Sequence, residues 1–399
     1  MLKFKRSALI SVICLIGIVF YGWIGFSQTP QPSIRLTTSP VASEIKPFEA
    51  EATSPQPPVQ LTLQAIDASG RSVENAKMRL QILTRSQNPW FTTDFPIVEG
   101  TTLLDLEAIA PKGELQIQQM LPIRGTYKLL VDVMPIVPNA FAPIHQTLTL
   151  SVPENWVKYR NFGILAAILL AAGLGGGWLI GGGQPTQPGE IAPQRVRLLL
   201  SGVTVVAIAA LLYVNISAEL GQSHRSMAMS HMTEDVPTSD KPSKLQSQGL
   251  EMQLSGDSSA MVGQLAKLQV GVIDVKTKQP ITDVALRIKT TQLENNWVAF
   301  AYQGIPDSTG KLAWQQQFFD GAPHNIEVEV APQSIAARQF QPFQVAQNIP
   351  VEGVAPPLFV RLISLTYMTG IVGVGLLLGL WLQRRRTQQS RPSLKRSFS

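Results

Sequence analysis

Residues Gly310–Pro332 read GKLAWQQQFFDGAPHNIEVEVAP, and residues Gly113–Pro135 read GELQIQQMLPIRGTYKLLVDVMP. Each segment ends in a run in which apolar and polar residues alternate, as in IEVEV at Ile326–Val330, the pattern of a strand with one buried face. The two segments align without a gap. They share seven identities: Gly113/Gly310, Leu115/Leu312, Gln118/Gln315, Gln119/Gln316, Val131/Val328, Val133/Val330 and Pro135/Pro332. We interpret them as equivalent parts of a duplicated unit.

Further alternating segments surround both copies, and LTLQAID ending at Asp67 matches LQVGVID ending at Asp274. The predicted strands are Val59–Asp67, Ala76–Thr84, Thr126–Met134, His145–Val152, Ala266–Asp274, Val284–Thr291, Trp297–Gln303, Lys311–Phe318 and His324–Val330. Short strands separated by Gly, Pro and Asp turns predict a small antiparallel, Ig-like β-sandwich in each copy. We place these sandwiches at residues 59–153 and 251–352.

Only 15% of the 399 residues are charged, which is low for a soluble protein and indicates membrane spans. Four stretches lack charge over a bilayer-spanning length: Ala8–Phe26, Phe162–Gly183, Leu198–Ile216 and Leu362–Leu382. The first could instead be a signal peptide cleaved near Ser27, but its apolar run is long for one, which favours an uncleaved anchor. The expected fold class is therefore an α + β membrane protein with four transmembrane helices and two β-sandwiches, arranged as a tandem duplication of helix–sandwich–helix.

Basic residues in the short flanks predict the orientation. Three short segments together hold 11 Lys or Arg and one acid: residues 1–7, the loop 184–197 and the tail 383–399. The two long segments, 27–160 and 215–360, carry net charges of −1 and −4. Both termini are therefore expected in the cytoplasm and both sandwiches outside, in a bacterial inner (plasma) membrane, with the lipid bilayer as one partner. The basic residues lie in cytoplasmic flanks, so nucleic-acid binding loses its main support.

Small residues form stripes in two of the spans. Gly173, Gly177 and Gly181 share one face of the second span, and Gly375 and Gly379 repeat the spacing in the fourth. This spacing predicts close helix packing. The spans contain no Asp, Glu, Lys, Arg or His, which argues against an ion pump or coupled transporter.

Two segments outside the membrane are predicted to be linkers. Residues 27–58 are rich in Pro, Ser and Thr, and residues 217–250 contain QSHRSMAMSHMTED at 222–235. The second linker concentrates candidate ligands of a soft metal: His224, Met227, Met229, His231 and Met232. Thioether and imidazole groups suit Cu(I), so copper is the expected cofactor if this segment binds a metal; the alternative is a solvated spacer that happens to use Met.

His324 is a further candidate metal ligand, with Asp320 as a second candidate beside it. Its aligned counterpart is Tyr127, which suggests the alternative of a ring that caps the edge of a sandwich. His145 is expected to be structural. With one Cys, four His and no HExxH or GxSxG motif, the chain is expected to be non-enzymatic.

The second copy reads LQVGVIDVKTKQPITDVALRIKTT followed by DSTGKLAWQQQFFDGAPHNIEVEV. This copy resembles the YtkA-like and FixH-like domains in three features: a strand ending in Asp, a turn with Pro, and a later G-x-x-H/Y before an alternating strand. The resemblance implies membrane-tethered extracytoplasmic β-sandwiches, some of them associated with copper supply or oxidase assembly. The methionines that those domains often carry around the middle strands are missing here.

Two functions remain open from the sequence. The first is a copper-binding or copper-delivery accessory protein that uses the Met/His segment. The second is an interaction or assembly protein of the envelope, whose sandwiches dock a protein partner through edge strands or loops without a metal.

Overall fold

The computed structural model describes residues 31–49, 56–88, 90–182, 196–197, 202, 243–333 and 338–389. The strands of the first half are β1 (Ser33–Ser39), β2 (Val59–Ile66), β3 (Ala76–Leu83), β4 (Thr102–Ala110), β5 (Glu114–Gln119), β6 (Gly125–Pro135) and β7 (Ile144–Val152). Those of the second half are β8 (Ser243–Ser247), β9 (Leu250–Gly256), β10 (Ala260–Met261), β11 (Leu265–Asp274), β12 (Val284–Gln292), β13 (Val298–Gly304), β14 (Lys311–Gln317), β15 (His324–Pro332), β16 (Phe343–Ile349) and β17 (Val351–Glu352). Two helices are described, α1 (Trp156–Gly181) and α2 (Leu358–Gln389).

Two large antiparallel sheets carry most of these strands. One has seven strands in the order β1-β2-β5-β13-β12-β15-β16, and the other has eight in the order β7-β6-β3-β4-β14-β11-β9-β8. A short parallel pair, β10 and β17, completes the β structure of the described residues. β1 lies within the segment that the sequence assigns to a linker, so the first half begins earlier than the alternation predicts.

Each large sheet runs through both halves. β5 pairs with β13, with Gln119 opposite Phe300, and β14 pairs with β4, with Gln316 opposite Leu104. Gln119 and Gln316 are aligned residues of the repeated segment, so the two cross-pairings are equivalent. The prediction of two separate sandwiches in tandem is therefore wrong, because backbone hydrogen bonds between their edge strands join them into one double sandwich.

Aspartates fix the turns that follow the first matched strand of each half. The Asp67 carboxylate accepts hydrogen bonds from the backbone N–H groups of Ser69 and Arg71, at 2.8 and 2.9 Å. Asp274 accepts equivalent bonds from Lys276 and Thr277, both at 2.9 Å. Asp favours such turns because its short side chain reaches backbone donors a few residues ahead. These local bonds explain why the sequence match ends at an aspartate in both halves.

A single hydrophobic core fills the space between the two sheets. The inward positions of β6 and β15 include the valines of the repeated segment, and Val131, Val133, Val328 and Val330 are each at most 1% exposed. The four valines therefore occupy matching inward positions in β6 and β15. The same cluster of buried side chains extends across both halves without a break.

The two helices run in the same direction and pack closely. A Cβ atom added at Gly173 would lie 2.2 Å from the Val372 carbonyl oxygen, and one added at Gly177 would lie 2.1 Å from that of Leu376. The reverse contacts are equally tight, with 2.4 Å from Gly375 to the Leu170 oxygen and 2.2 Å from Gly379 to that of Leu174. Close packing along these stripes is therefore confirmed. At Gly181 the added atom would meet the Gln383 side chain at 3.0 Å instead.

The prediction of four transmembrane helices needs correction. Within the described ranges, two helices are long and apolar enough to cross a membrane, namely Trp156–Gly181 and the Leu358–Arg386 part of α2. They correspond to the predicted second and fourth spans, although α1 ends at Gly181 and the second span was predicted to end at Gly183. The predicted first span, Ala8–Phe26, lies outside the described residues, as does the third, Leu198–Ile216, apart from Gly202. The fold that the structure supports is a double β-sandwich with two candidate membrane helices.

Candidate functional site

Most of the predicted metal ligands lie outside the residues that the structure describes. These are His224, Met227, Met229, His231 and Met232. Within the described parts of the chain, no group of three or more His, Cys, Asp or Glu side chains is arranged to hold a metal ion. Of the predicted ligands, His324 and its companion candidate Asp320 lie within the described residues.

His324 opens β15 and is buried, with 1% of its surface exposed. Its Nδ1 atom lies 2.8 Å from the Ala322 carbonyl oxygen, an acceptor, so Nδ1 carries the proton and donates this bond. The other ring nitrogen, Nε2, is buried without a hydrogen-bond partner. Burial lowers the pKa of His324 to about 4, against a smaller opposing effect of the bond to Ala322, so the ring is neutral at pH 7.

Aromatic rings surround His324 where the two halves meet. The His324 ring lies 4.7 Å from the Phe318 ring and 5.7 Å from that of Trp297, measured between centroids. Trp297 stacks on Phe319 at 5.2 Å, and Phe48 from the first half lies 4.7 Å from Trp297. We call these five residues the junction cluster. An imidazole enclosed in this way packs the core, and a metal would need a path through the cluster to reach Nε2.

Tyr127, the aligned counterpart of His324, plays a matching part in the first half. It is fully buried, and its hydroxyl donates to the Ile123 carbonyl oxygen at 2.6 Å and accepts from the Ile123 N–H at 2.9 Å. Both rings therefore tie the start of their strand to the loop just before it. This parallel favours a structural role for His324 over a ligand role.

The remaining sequence candidates have ordinary partners. His145 on β7 lies 2.7 Å from the Asp132 carboxylate of β6, in an exposed cross-strand pair. Asp320 accepts a hydrogen bond from the Gln292 side chain at 3.1 Å. The structure therefore shows His145 in contact with Asp132 and Asp320 in contact with Gln292.

A different feature stands out at the outer edge of the first half, where the sheet edges β1 and β7 face each other. Between them lies an open groove of about 830 Å³, which we call the edge groove. Its lining is formed by Leu36, Thr38, Ala42, Ser43, Thr147, Leu148, Thr149, Leu150, Ser151 and Pro153. None of these side chains is charged. The strand β7 ends its sheet, and an edge strand presents a row of backbone N–H and C=O groups that can pair with another chain.

The corresponding edges of the second half are held together differently. The Gln248 side chain donates to the Gln341 carbonyl oxygen at 3.1 Å and accepts from its N–H at 2.9 Å. The extra strand β8 also extends the sheet beyond β9. In the first half, the Ile34 N–H donates to the Gln146 side chain at 2.6 Å, at the end of β7 far from α1. The edge groove lies on the side of that bond nearer to α1.

A second depression, of about 580 Å³, lies where β4 meets β14. Its charged lining residues are Arg79, Asp105, Glu107 and Lys267. Three of these charges are paired: Arg79 forms an ion pair with Asp105 at 2.7 Å, and Glu107 pairs at 2.5 Å with Lys77, which does not line the depression. Burial disfavours the charged form of Asp105, yet hydrogen bonds from Arg79 and Gln81 outweigh it and lower the pKa of the carboxyl. Such compensated charges fit a solvated sheet surface better than a ligand site.

The sequence did not predict the edge groove, because alternation of apolar and polar residues does not determine the order of strands in a sheet. The one signal was the run HQTLTLS at 145–151, in which hydroxyl side chains alternate with leucines. That pattern predicts a strand with a polar outer face. It does not tell a central strand from an edge strand.

Comparisons with known proteins add little beyond this geometry. No protein-family model matches the chain, and no curated protein matches it in sequence. A copper-bound variant of FetP from uropathogenic Escherichia coli strain F11 is 11% identical, with a TM-score of 0.21, over 29% of this chain and 98% of FetP. The Yersinia pseudotuberculosis adhesin InvE is 10% identical, with a TM-score of 0.19, over 81% of this chain and 61% of InvE. Trypsin-activated alpha-2-macroglobulin from Escherichia coli is 9% identical, with a TM-score of 0.20, over 80% of this chain and 16% of its own. Since these scores are so low, the resemblance to YtkA-like and FixH-like domains stays a prediction.

Proposed function

We propose that this chain is a membrane-anchored, non-enzymatic interaction protein whose double sandwich binds an extended polypeptide segment of a partner in the cell envelope. The observation that carries the proposal is the edge groove, an open and uncharged channel beside a free sheet edge. A partner segment would add a strand to β7, a recurring mode of peptide recognition.

The dimensions and chemistry of the groove define the kind of segment. Residues Thr147–Ser151 of β7 extend over about 17 Å, room for a strand of similar length. Leu150 is buried and Leu148 half-buried beside the groove, while Thr147, Thr149 and Ser151 are exposed. The segment that fits is therefore extended and uncharged, with alternating apolar and hydroxyl side chains.

The β unit is fixed to the start of α1 by polar contacts. Arg124 forms an ion pair at 2.6 Å with Glu154, whose side chain is only 4% exposed. Lys158 pairs with Asp94, and the Asn155 side chain donates to Glu49 at 2.5 Å. These contacts would hold the edge groove at a constant height above a membrane crossed by α1 and α2. The basic flanks support an orientation with both termini in the cytoplasm and the sandwich outside.

The test uses the full chain in lipid nanodiscs and a short fluorescent peptide of alternating threonine and valine. Ala42→Trp fills the edge groove from its rim, whereas Ala140→Trp adds the same side chain at an exposed site outside it. Peptide binding, followed by anisotropy, should weaken about tenfold or more in Ala42→Trp, a loss of about 1.4 kcal/mol. Ala140→Trp should bind as the parent does. Equal binding by both variants, or equal binding of a proline-interrupted peptide, would refute the proposal.

Copper binding by the Met/His segment is a second candidate function, favoured by the five His and Met residues within 224–232. Three thioethers and two imidazoles suit Cu(I) better than Zn(II). Titration of the full chain with Cu(I) should show a site that weakens stepwise as Met227, Met229 and Met232 become Leu. Unchanged Cu(I) binding by the triple Leu variant would end this candidate.

A further inference from the structure

We propose that residues 88 and 90–95, in the loop between β3 and β4 of the first half, lie in the membrane interface and present Trp90 and Phe91 to the boundary between lipid headgroups and acyl chains. The proposal rests on the membrane crossing included in the proposed function. We call these residues the interfacial loop. They lie between β3 and β4 and hold two adjacent aromatic side chains that are 60% and 65% exposed.

The height of the loop follows from its contact with α2. The Tyr367 hydroxyl donates a hydrogen bond to the Trp90 carbonyl oxygen at 3.0 Å. Tyr367 lies about 13 Å along the helix from Leu358, and long helical side chains lean back toward the N-terminus. Trp90 is therefore level with the second turn of α2, close to Leu362, where the uncharged stretch begins. The loop reaches the height at which the bilayer would start.

Other aromatic residues lie near the same height. Trp156 and Tyr159 in the first turn of α1 are 74% and 52% exposed. Their rings lie 6.4 Å apart between centroids, so they form one aromatic patch beside the start of the uncharged stretch. Exposed Trp and Tyr side chains at this position are typical of the interface between a membrane and water.

A second set of aromatic rings lies at the opposite end of the helix pair. Trp178 and Trp381 lie under the guanidinium groups of Arg386 and Arg385, at 4.9 and 3.9 Å. From Tyr159 to Trp178 the helix α1 rises by about 28 Å, close to the thickness of a hydrocarbon core. Aromatic belts separated in this way mark the two interfaces of membrane proteins. The interfacial loop belongs to the belt on the side of the sandwich.

The interfacial loop is built to hold its shape. Glu99 is buried, and its carboxylate accepts hydrogen bonds from the backbone N–H groups of Thr93 at 2.6 Å and Asn88 at 3.2 Å. The Asn88 side chain accepts a further bond from the Trp90 N–H at 3.0 Å, and Arg124 donates to the Thr92 carbonyl oxygen at 3.1 Å. A carboxylate is costly to bury unless its oxygens are satisfied, as they are here. The fold therefore fixes the backbone while it leaves two aromatic rings outside.

The second half lacks this arrangement at the corresponding position. The turn between β12 and β13 is short, and its Trp297 points into the junction cluster with 3% of its surface exposed. Adjacent exposed aromatic side chains on a rigid loop indicate a binding surface. Here the loop is joined by the Tyr367 hydrogen bond to α2, one of the two candidate membrane helices, so a bilayer is the occupant that fits its position.

The test places single fluorescent labels on the full chain, with Cys14 replaced by Ser, in phosphatidylcholine–phosphatidylglycerol bilayers. The labelled variants are Phe91→Cys in the loop, Ile164→Cys on the exposed side of α1, and Ala140→Cys in an exposed loop at the far end of the sandwich. Quenching by lipids brominated at shallow or deep acyl positions reports the depth of each label.

We expect the Phe91 label to be quenched several-fold more strongly by shallow bromines than the Ala140 label, and the Ile164 label to be quenched most by deep ones. If Ile164 is quenched but Phe91 is no more quenched than Ala140, the interfacial loop is refuted while the membrane crossing stands. If Ile164 is not quenched, the membrane crossing fails and the interfacial loop fails with it.

Discussion

Replacing His324 by Phe should remove a large part of the acid sensitivity of the fold between pH 7 and pH 5. In the folded chain burial lowers the pKa of His324 to about 4, whereas an unfolded histidine titrates near 6.5. Between these values the unfolded state binds the extra proton. The contribution of neutral His324 to the free energy of unfolding is therefore fully present above about pH 6.5, and it is lost as the pH falls toward about 4.

The size of the effect follows from the two pKa values. For a single histidine shifted in this way, the free energy of unfolding falls by about 2 kcal/mol between pH 7 and pH 5. Carboxylates with lowered pKa values, such as Asp67 and Asp274, stabilise the fold in their charged form and lose their contribution below about pH 4. The window from pH 7 to pH 5 lies above the titration of these carboxylates, and the comparison of His324→Phe with the parent separates His324 from the other three histidines.

The assay is urea unfolding of the full chain in micelles, followed by the fluorescence of the buried Trp297 and Trp314. His324→Phe removes the bond to Ala322, so its absolute stability can differ from that of the parent. Its change in stability between the two pH values should nevertheless be about 2 kcal/mol smaller. An imidazole pKa near 6.5 for His324 by NMR, or the same pH dependence in the variant and the parent, would show that the ring is not buried as described.

Two further predictions test the helix pair and the shared core. Gly177→Leu places its Cβ atom against the Leu376 carbonyl oxygen and should lower the free energy of unfolding by about 1–3 kcal/mol. A Cβ atom added at Gly176 meets nothing within 4 Å, so Gly176→Leu should have little effect, and equal melting of the two variants would contradict the helix contact. Val328→Asp buries an unpaired charge and should lower the free energy of unfolding of the full chain by several kcal/mol. Glu327→Asp, on the opposite face of the strand, should leave it nearly unchanged. A parent-like melting curve for Val328→Asp would mean that the register of β15 is wrong.

Alternation predicted the strands that have one buried face and one outer face. The segment Val59–Asp67 corresponds to β2, and His145–Val152 to β7, each within one residue at either end. It missed β4, in which Leu103 and Leu104 are both fully buried and interrupt the pattern. A register shift where β3 meets this strand accompanies the interruption. A period of two is visible only where the two faces of a strand differ in environment.

The pairing between the two halves could not be read from the sequence. β5 and β13 are joined by backbone hydrogen bonds, and backbone groups are the same in every residue. The glutamines at the end of the repeated segment gave a weak signal, because Gln119 and Gln316 are buried although they are polar. The burial of His324 was missed for the same reason, since the junction cluster forms only when the halves join.

The equivalence of the two halves makes their differences informative. The cross-pairings of β5 with β13 and of β14 with β4 are reciprocal, and so are the glycine contacts between α1 and α2. If both halves served only to stabilise the fold, we would expect the same contacts to join the sheet edges in each half. Instead, the Gln248 contacts close the second half, while the first half carries both the edge groove and the interfacial loop. The two departures from equivalence fall on the same half, so both proposed binding surfaces, the one for a polypeptide segment and the one for the bilayer, belong to the first half.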